Sequence, residues 1–95
     1  MYLVINEFNT GDESTNIIVA LCTTYESALA KMQEMIMDIN ENSMHFAGFR
    51  GEMNTSWDLT ENEESFYLDD NYNAAFESIV IRQIEADGKN VLLTE

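Results

Sequence analysis

Carboxylates are the reactive groups this chain has in quantity. Between Arg50 and Arg82 there is no cation, yet Glu52, Asp58, Glu61, Glu63, Glu64, Asp69, Asp70 and Glu77 all lie there, interleaved with Trp57, Phe66, Tyr67, Tyr72 and Phe76. Groups of this kind can exchange protons as an acid–base pair, ligate a hard cation, or meet a basic surface. The acid–base role needs two carboxyls converging on one pocket. Asp69-Asp70 and Glu63-Glu64 are sequence neighbours, whose side chains point to opposite sides of a strand, and no substrate-pocket motif accompanies them. Calcium loops fail on spacing: counted from Asp38 or from Asp58, the sixth position is Ser43 or Glu63 instead of Gly, and the twelfth is Phe49 or Asp69 instead of Glu. Loose divalent binding at a dense carboxylate patch, no tighter than about millimolar, is the expectation that remains.

The other chemistries are poorly supplied. One histidine, His45, and one cysteine, Cys22, cannot fill a tetrahedral zinc site in a single chain. Cys22 ends an apolar run just before a helix start, a place that can acidify a thiol, but without a catalytic signature its ordinary role is that of a small core hydrophobe. Gly11, Gly48, Gly51 and Gly88 form neither a phosphate loop nor a dinucleotide fingerprint. Direct nucleic-acid binding is opposed by charge: Lys31, Arg50, Arg82 and Lys89 are the only basic side chains, too few to displace counterions from phosphates. No cofactor, no metal and no catalytic residue is therefore expected. What is left is contact chemistry. Eighteen acidic residues against four basic ones give a net charge of -14, so the molecule repels polyanions and anionic lipid and is drawn to basic surfaces.

The elements that must position these groups follow from periodicity. With 45% hydrophobic residues spread along 95 positions, the chain is expected to fold as a single domain, stabilised by salt that screens its self-repulsion. Tyr2–Phe8 and Thr15–Cys22 are β-branched runs around a turn-forming Asn9–Ser14 cluster and predict a hairpin. Thr23 with Glu26 has capping-box spacing, and Tyr25, Ala28, Leu29, Met32, Ile36 and Ile39 recur at the helical period, predicting a helix over Tyr25–Asn42. Glu34, Asp38 and Glu41 stack in one column on that helix. Met35, Met37 and Met44 widen its apolar surface, either as core filler or as a contact for a partner or a second copy.

Ser43–Gly51 is expected as a loop. Met53–Leu59 and Glu64–Leu68 are weaker strand candidates, paired as a hairpin or forming an irregular excursion. Asp69–Ala75 is expected to hold a short helical turn begun by Asp and Asn. Glu77–Ala86 predicts a strand burying Ile79, Ile81 and, given a slip in alternation, Ile84, with Arg82 and Glu85 outward, and Asp87-Gly88 a tight turn into a closing strand at Asn90–Leu93. The expected class is α+β: an antiparallel sheet of four to five strands with one main helix on one face, in the order β-β-α-β-β. The lone cysteine, the short N-terminal apolar run and the lack of a stretch of roughly 20 apolar residues point to a cytoplasmic protein with no membrane contact.

In size, acidity, interleaved aromatics and lack of an enzyme motif, the chain resembles the small acidic inhibitors encoded by phages and mobile elements, among them anti-restriction DNA mimics and many anti-CRISPR proteins. The resemblance is one of character and covers no alignable stretch. It implies a non-catalytic protein whose partner is a basic nucleic-acid-binding protein, a nuclease or effector complex. Asp58, Glu61, Glu63, Glu64, Asp69 and Asp70, with Tyr67 and Tyr72 as aromatic anchors, form the first candidate docking set. Glu34, Asp38 and Glu41 form the second. The alternative is an acidic cytoplasmic interaction or regulatory domain whose carboxylates serve solubility, without mimicry.

Overall fold

The computed structural model describes residues 1–11 and 14–84. Two strands, β1 (Tyr2–Asn9) and β2 (Asn16–Cys22), lead into the helix α1 (Tyr25–Asn42), and three more follow: β3 (Trp57–Glu61), β4 (Ser65–Asp70) and β5 (Phe76–Gln83). They form one antiparallel sheet in the order β2-β1-β5-β4-β3. The class is the α+β one expected, and among the described residues the order is β-β-α-β-β-β in place of β-β-α-β-β. The expected turn at Asp87-Gly88 and strand at Asn90–Leu93 lie outside the described residues, as does Glu85.

Alternation sorts the side chains. The register places Val4 opposite Ala20 and Ile81, Ile79 opposite Phe66, and Leu59 opposite Leu68, so these residues share the face that α1 covers. Ala28, Met32, Ile36 and Ile39 are the buried stripe of α1, and Leu29, expected among them, is half-buried. The helix begins one residue later than its capping signal predicts. Thr24 is the last extended residue, at φ -125° and ψ 159°; its Oγ1 accepts from the Ser27 amide at 3.1 Å, and its own amide donates to Ser27 Oγ at 3.2 Å. Tyr25, packed edge-on against Tyr2 at 5.6 Å, is then the first helical residue, and Thr23 and Glu26 are out of register for the box.

A helix is about 10–12 Å wide, whereas five strands at about 4.8 Å spacing span roughly 19 Å. α1 packs on β1, β5 and β2. The segment expected as an open loop after it covers the rest: Phe46 and Phe49 are fully buried, with Phe49 5.6 Å from Phe66 and Phe46 edge-on to Trp57 at 5.0 Å. Gly48, at φ 85°, makes the reversal that brings both rings inward, and its amide donates to the Asn40 carbonyl at 2.7 Å.

The second half also departs from expectation in its turns. The weaker strand candidates do pair as a hairpin, displaced toward the C-terminus. No helical turn forms at Asp69–Ala75. Asp70 uses its carboxylate to fold residues 71–73 into a turn between β4 and β5, accepting from the Tyr72 amide at 2.9 Å, which an aspartate does as readily as it caps a helix.

Two substitution pairs check this architecture by chemical denaturation. Thr24→Ala is expected to cost about 1 kcal/mol and Thr23→Ala almost nothing. Phe46→Ala is expected to cost about 3–5 kcal/mol, as for a core ring, while Met44→Ala, next to it but exposed, stays near wild type.

Candidate docking surface

The carboxylates of residues 58–70 are largely engaged in holding the fold. Asp58 and Asp69 are direct cross-strand neighbours, a like-charge pair that weakens the hairpin, and the Asn71 amide group offsets this by donating to Asp58 Oδ2 at 2.7 Å. Glu61 receives Arg50 in a two-pronged pair at 2.8 and 2.7 Å, which lowers its carboxyl pKa, while the guanidinium lies 5.0 Å over the Phe49 ring. Glu64 accepts from the Tyr25 hydroxyl at 2.7 Å, and that hydrogen bond pushes the Tyr25 phenol up to about 12.

Asp70 leaves the docking set altogether. Its side chain is buried and receives Asn73 Nδ2 at 2.8 Å, the Tyr72 amide at 2.9 Å, His45 Nε2 at 2.6 Å and Trp57 Nε1 at 3.3 Å. An ionised carboxylate only accepts, so His45 presents an N–H to it. These donors, Asn73 and the Tyr72 amide foremost, hold the carboxyl well below the usual range against the opposing effect of burial. The hub ties the covering segment to β3 and to the β4–β5 turn.

Among the first candidates, Glu63, Asp69, Tyr67 and Tyr72 keep groups facing solvent. Tyr67 stacks on Phe76 at 6.2 Å on the sheet face opposite α1, and Tyr72 stands out from the turn. Glu63 sits in the β3–β4 turn, where among the described residues it makes no hydrogen bond or ion pair.

The second set stays together. Glu34, Asp38 and Glu41 are exposed in one column on α1. Glu34 holds Lys31 at 3.1 Å in a solvated pair of small energetic weight, Asp38 accepts from Asn42 Nδ2 at 2.8 Å, and Glu41 has no partner among the described residues. The column borders an open groove of about 660 Å³ between α1 and the β1–β2 side of the sheet, lined also by Asn6, Ile18, Ala30 and Met37.

One ionisable group escaped the sequence reasoning. Glu77 is buried on the helix-side face of β5, where its Oε1 accepts from Asn6 Nδ2 at 3.1 Å. Burial raises its carboxyl to about 7, with the Asn6 bond opposing and Asp38 adding to the rise. The signal was present: Glu77 shares the period of Ile79 and Ile81.

Among the described residues no group of three or more His, Cys, Asp or Glu side chains is placed to hold a metal ion, and no helix is long and apolar enough to cross a membrane. Cys22 packs, half-buried, against the core. Compared with known proteins, the chain matches no family model, no curated protein and no solved structure.

The Glu77 environment sets a pH dependence of definite sign. Its folded value of about 7 lies above the ordinary 4.5, so the native state holds the proton more tightly than the unfolded chain. The resulting stabilisation is complete below 4.5 and is lost as pH rises through 7. Glu77→Gln removes this dependence. Relative to wild type, the variant should gain on the order of 1 kcal/mol between pH 5 and pH 8, allowing for solvent screening, in denaturation series run at both pH values.

Proposed function

We propose that the protein is a non-catalytic inhibitor that occupies a basic, nucleic-acid-binding surface of a partner protein, in the manner of the anti-restriction and anti-CRISPR inhibitors whose character it shares. The observation that carries this is the acid column of α1. Glu34 to Glu41 advances about 10 Å along the helix at 1.5 Å per residue, and over that distance one strand of a double helix carries about three phosphates. The column offers three carboxylates in the same length. A groove of Arg and Lys spaced for one strand of DNA thus meets charges at a density it already fits, and association would be fast and sensitive to salt.

The acids of residues 58–70 contribute less to this role, because Glu61, Glu64 and Asp70 are committed to Arg50, Tyr25 and the His45 hub. Glu63 and Asp69 extend the negative field without forming a contact set of their own. The cytoplasm, where a partner of this kind works on its nucleic acid and a lone thiol stays reduced, is the compartment that goes with this function. A second reading, an acidic interaction domain without mimicry, is favoured by one observation: Met37 and Ile18, both exposed, flank the column, and a phosphodiester backbone has no counterpart to them.

Capture on the immobilised protein from bacterial lysates at low and high salt, followed by competition with the captured partner's nucleic acid, tests the proposal. The partner should be a basic nucleic-acid-binding protein displaced by its own DNA or RNA. Combined Glu34→Gln, Asp38→Asn and Glu41→Gln changes should weaken binding by about tenfold or more, and Glu52→Gln hardly at all. A partner without a basic groove, or an affinity indifferent to salt, contradicts it.

A further inference from the structure

Among the described residues, β2 is an edge strand with no guard. It pairs only with β1 among them, so the outward backbone N–H and C=O groups of Asn16–Cys22 have no ladder partner there. Edges are ordinarily blunted by lysine, proline or a bulge, but this strand, Asn-Ile-Ile-Val-Ala-Leu-Cys, has no proline and no charge in a chain of net charge -14. Ile17 and Leu21 are 61% and 59% exposed, and by alternation they lie with Val19 on the face away from α1. Ile18, 51% exposed, lies on the other face, where it forms one wall of the groove beneath Met37 and the acid column.

A strand laid along β2 would alternate its side chains between these two surroundings. One set meets Ile17, Val19 and Leu21 and is best apolar. The other enters the groove, whose apolar wall of Ile18, Ala30 and Met37 suits the aliphatic stem of Lys or Arg, and whose rim offers Asp38 and Glu41, with Glu34 already held by Lys31 on the same rim, to its charge. We propose that the β2 edge takes up an extended segment of a basic partner, alternating apolar residues with Lys or Arg, as a further strand of the sheet. Charge selects this occupant over a second copy: antiparallel pairing of β2 with itself sets both helices on the same face of the joined sheet and brings two acid columns toward each other. Strand addition of this type takes affinity from main-chain hydrogen bonds and specificity from alternate side chains. The proposal rests on the reading above for the basic character of the partner and goes further in naming the segment that docks and the edge that receives it.

The test uses the full chain labelled with 15N and synthetic peptides of about twelve residues. One alternates valine with lysine, one alternates serine with lysine at the same charge and spacing, and two are the valine–lysine peptide N-methylated on one or the other of its two backbone edges. The valine–lysine peptide should bind about tenfold or more tighter than the serine–lysine peptide and slow hydrogen exchange at amides of β2. N-methylation of one edge should abolish binding and of the other spare it. Ile17→Lys with Val19→Lys, both on exposed side chains, should weaken binding comparably. Equal binding of the two unmodified peptides, β2 amides uniformly protected in the free monomer, or a micromolar homodimer with β2 at its interface would each overturn the proposal. Failure here is separable from failure of the inhibitor reading. If the α1 substitutions abolish competition with nucleic acid while the peptides bind alike, mimicry stands and strand addition falls; if the peptide joins β2 but no nucleic-acid-binding partner is displaced, the reverse holds.

Discussion

One helix has to cover a sheet nearly twice its width, and most of what is distinctive in this molecule follows from that mismatch. α1 sits over β2, β1 and β5, so β4 and β3 need a second cover, and the segment after the helix supplies it with Phe46 and Phe49. Such a segment has no backbone ladder to hold it. It is fixed instead by Asn40, which engages Gly48 and Arg50, by the Arg50–Glu61 pair, and by the four donors that meet on Asp70. On the opposite side, nothing comparable among the described residues closes over Ile18, and the groove beside β2 is the space left by a helix that is not wide enough.

The same constraint distributes the charge. Acids near the covering segment become structural: Glu61 and Asp70 hold it in place, and Glu64 ties the β3–β4 turn to the start of α1. A carboxylate with several donors is stabilised as an anion even when buried, as Asp70 is, whereas Glu77, with a single amide donor beneath the helix, is pushed toward its neutral form. Two buried acids thus bias stability with opposite pH signs. On the outer side of α1, beside the β2 edge, Glu34, Asp38 and Glu41 make only local contacts within the helix or none among the described residues. Negative charge, an apolar groove and a strand edge unpaired among the described residues coincide on one side of the molecule, and that coincidence is the physical basis for proposing this side as the one that would meet a basic protein.

Much of this was legible in the residues. The hairpin of β1 and β2, the extent of α1 and its Ala28–Met32–Ile36–Ile39 stripe follow from hydrophobic period, which tertiary contacts reinforce. The acid column followed from helical spacing alone. What could not be read was the fate of acids in irregular segments. Asp70 and Asp69 are indistinguishable in composition, and only strand register decides that one turns into the hub and the other toward solvent. Phe46 and Phe49 lay in a glycine-bearing stretch that resembles a solvated loop, because the demand for extra cover arises from sheet width, a property of the whole fold. The cap lies at Thr24 instead of Thr23, and Ser27 closes the box there in the place expected for Glu26.

The proposal turns on which side of the molecule meets its partner, and amide chemical-shift mapping of the 15N-labelled chain during titration with the captured partner measures this directly. Perturbations concentrated in residues 16–22 and 30–41, reduced when Glu34, Asp38 and Glu41 are neutralised, are the predicted result. Perturbations confined to residues 58–72, with α1 and β2 silent, would contradict it.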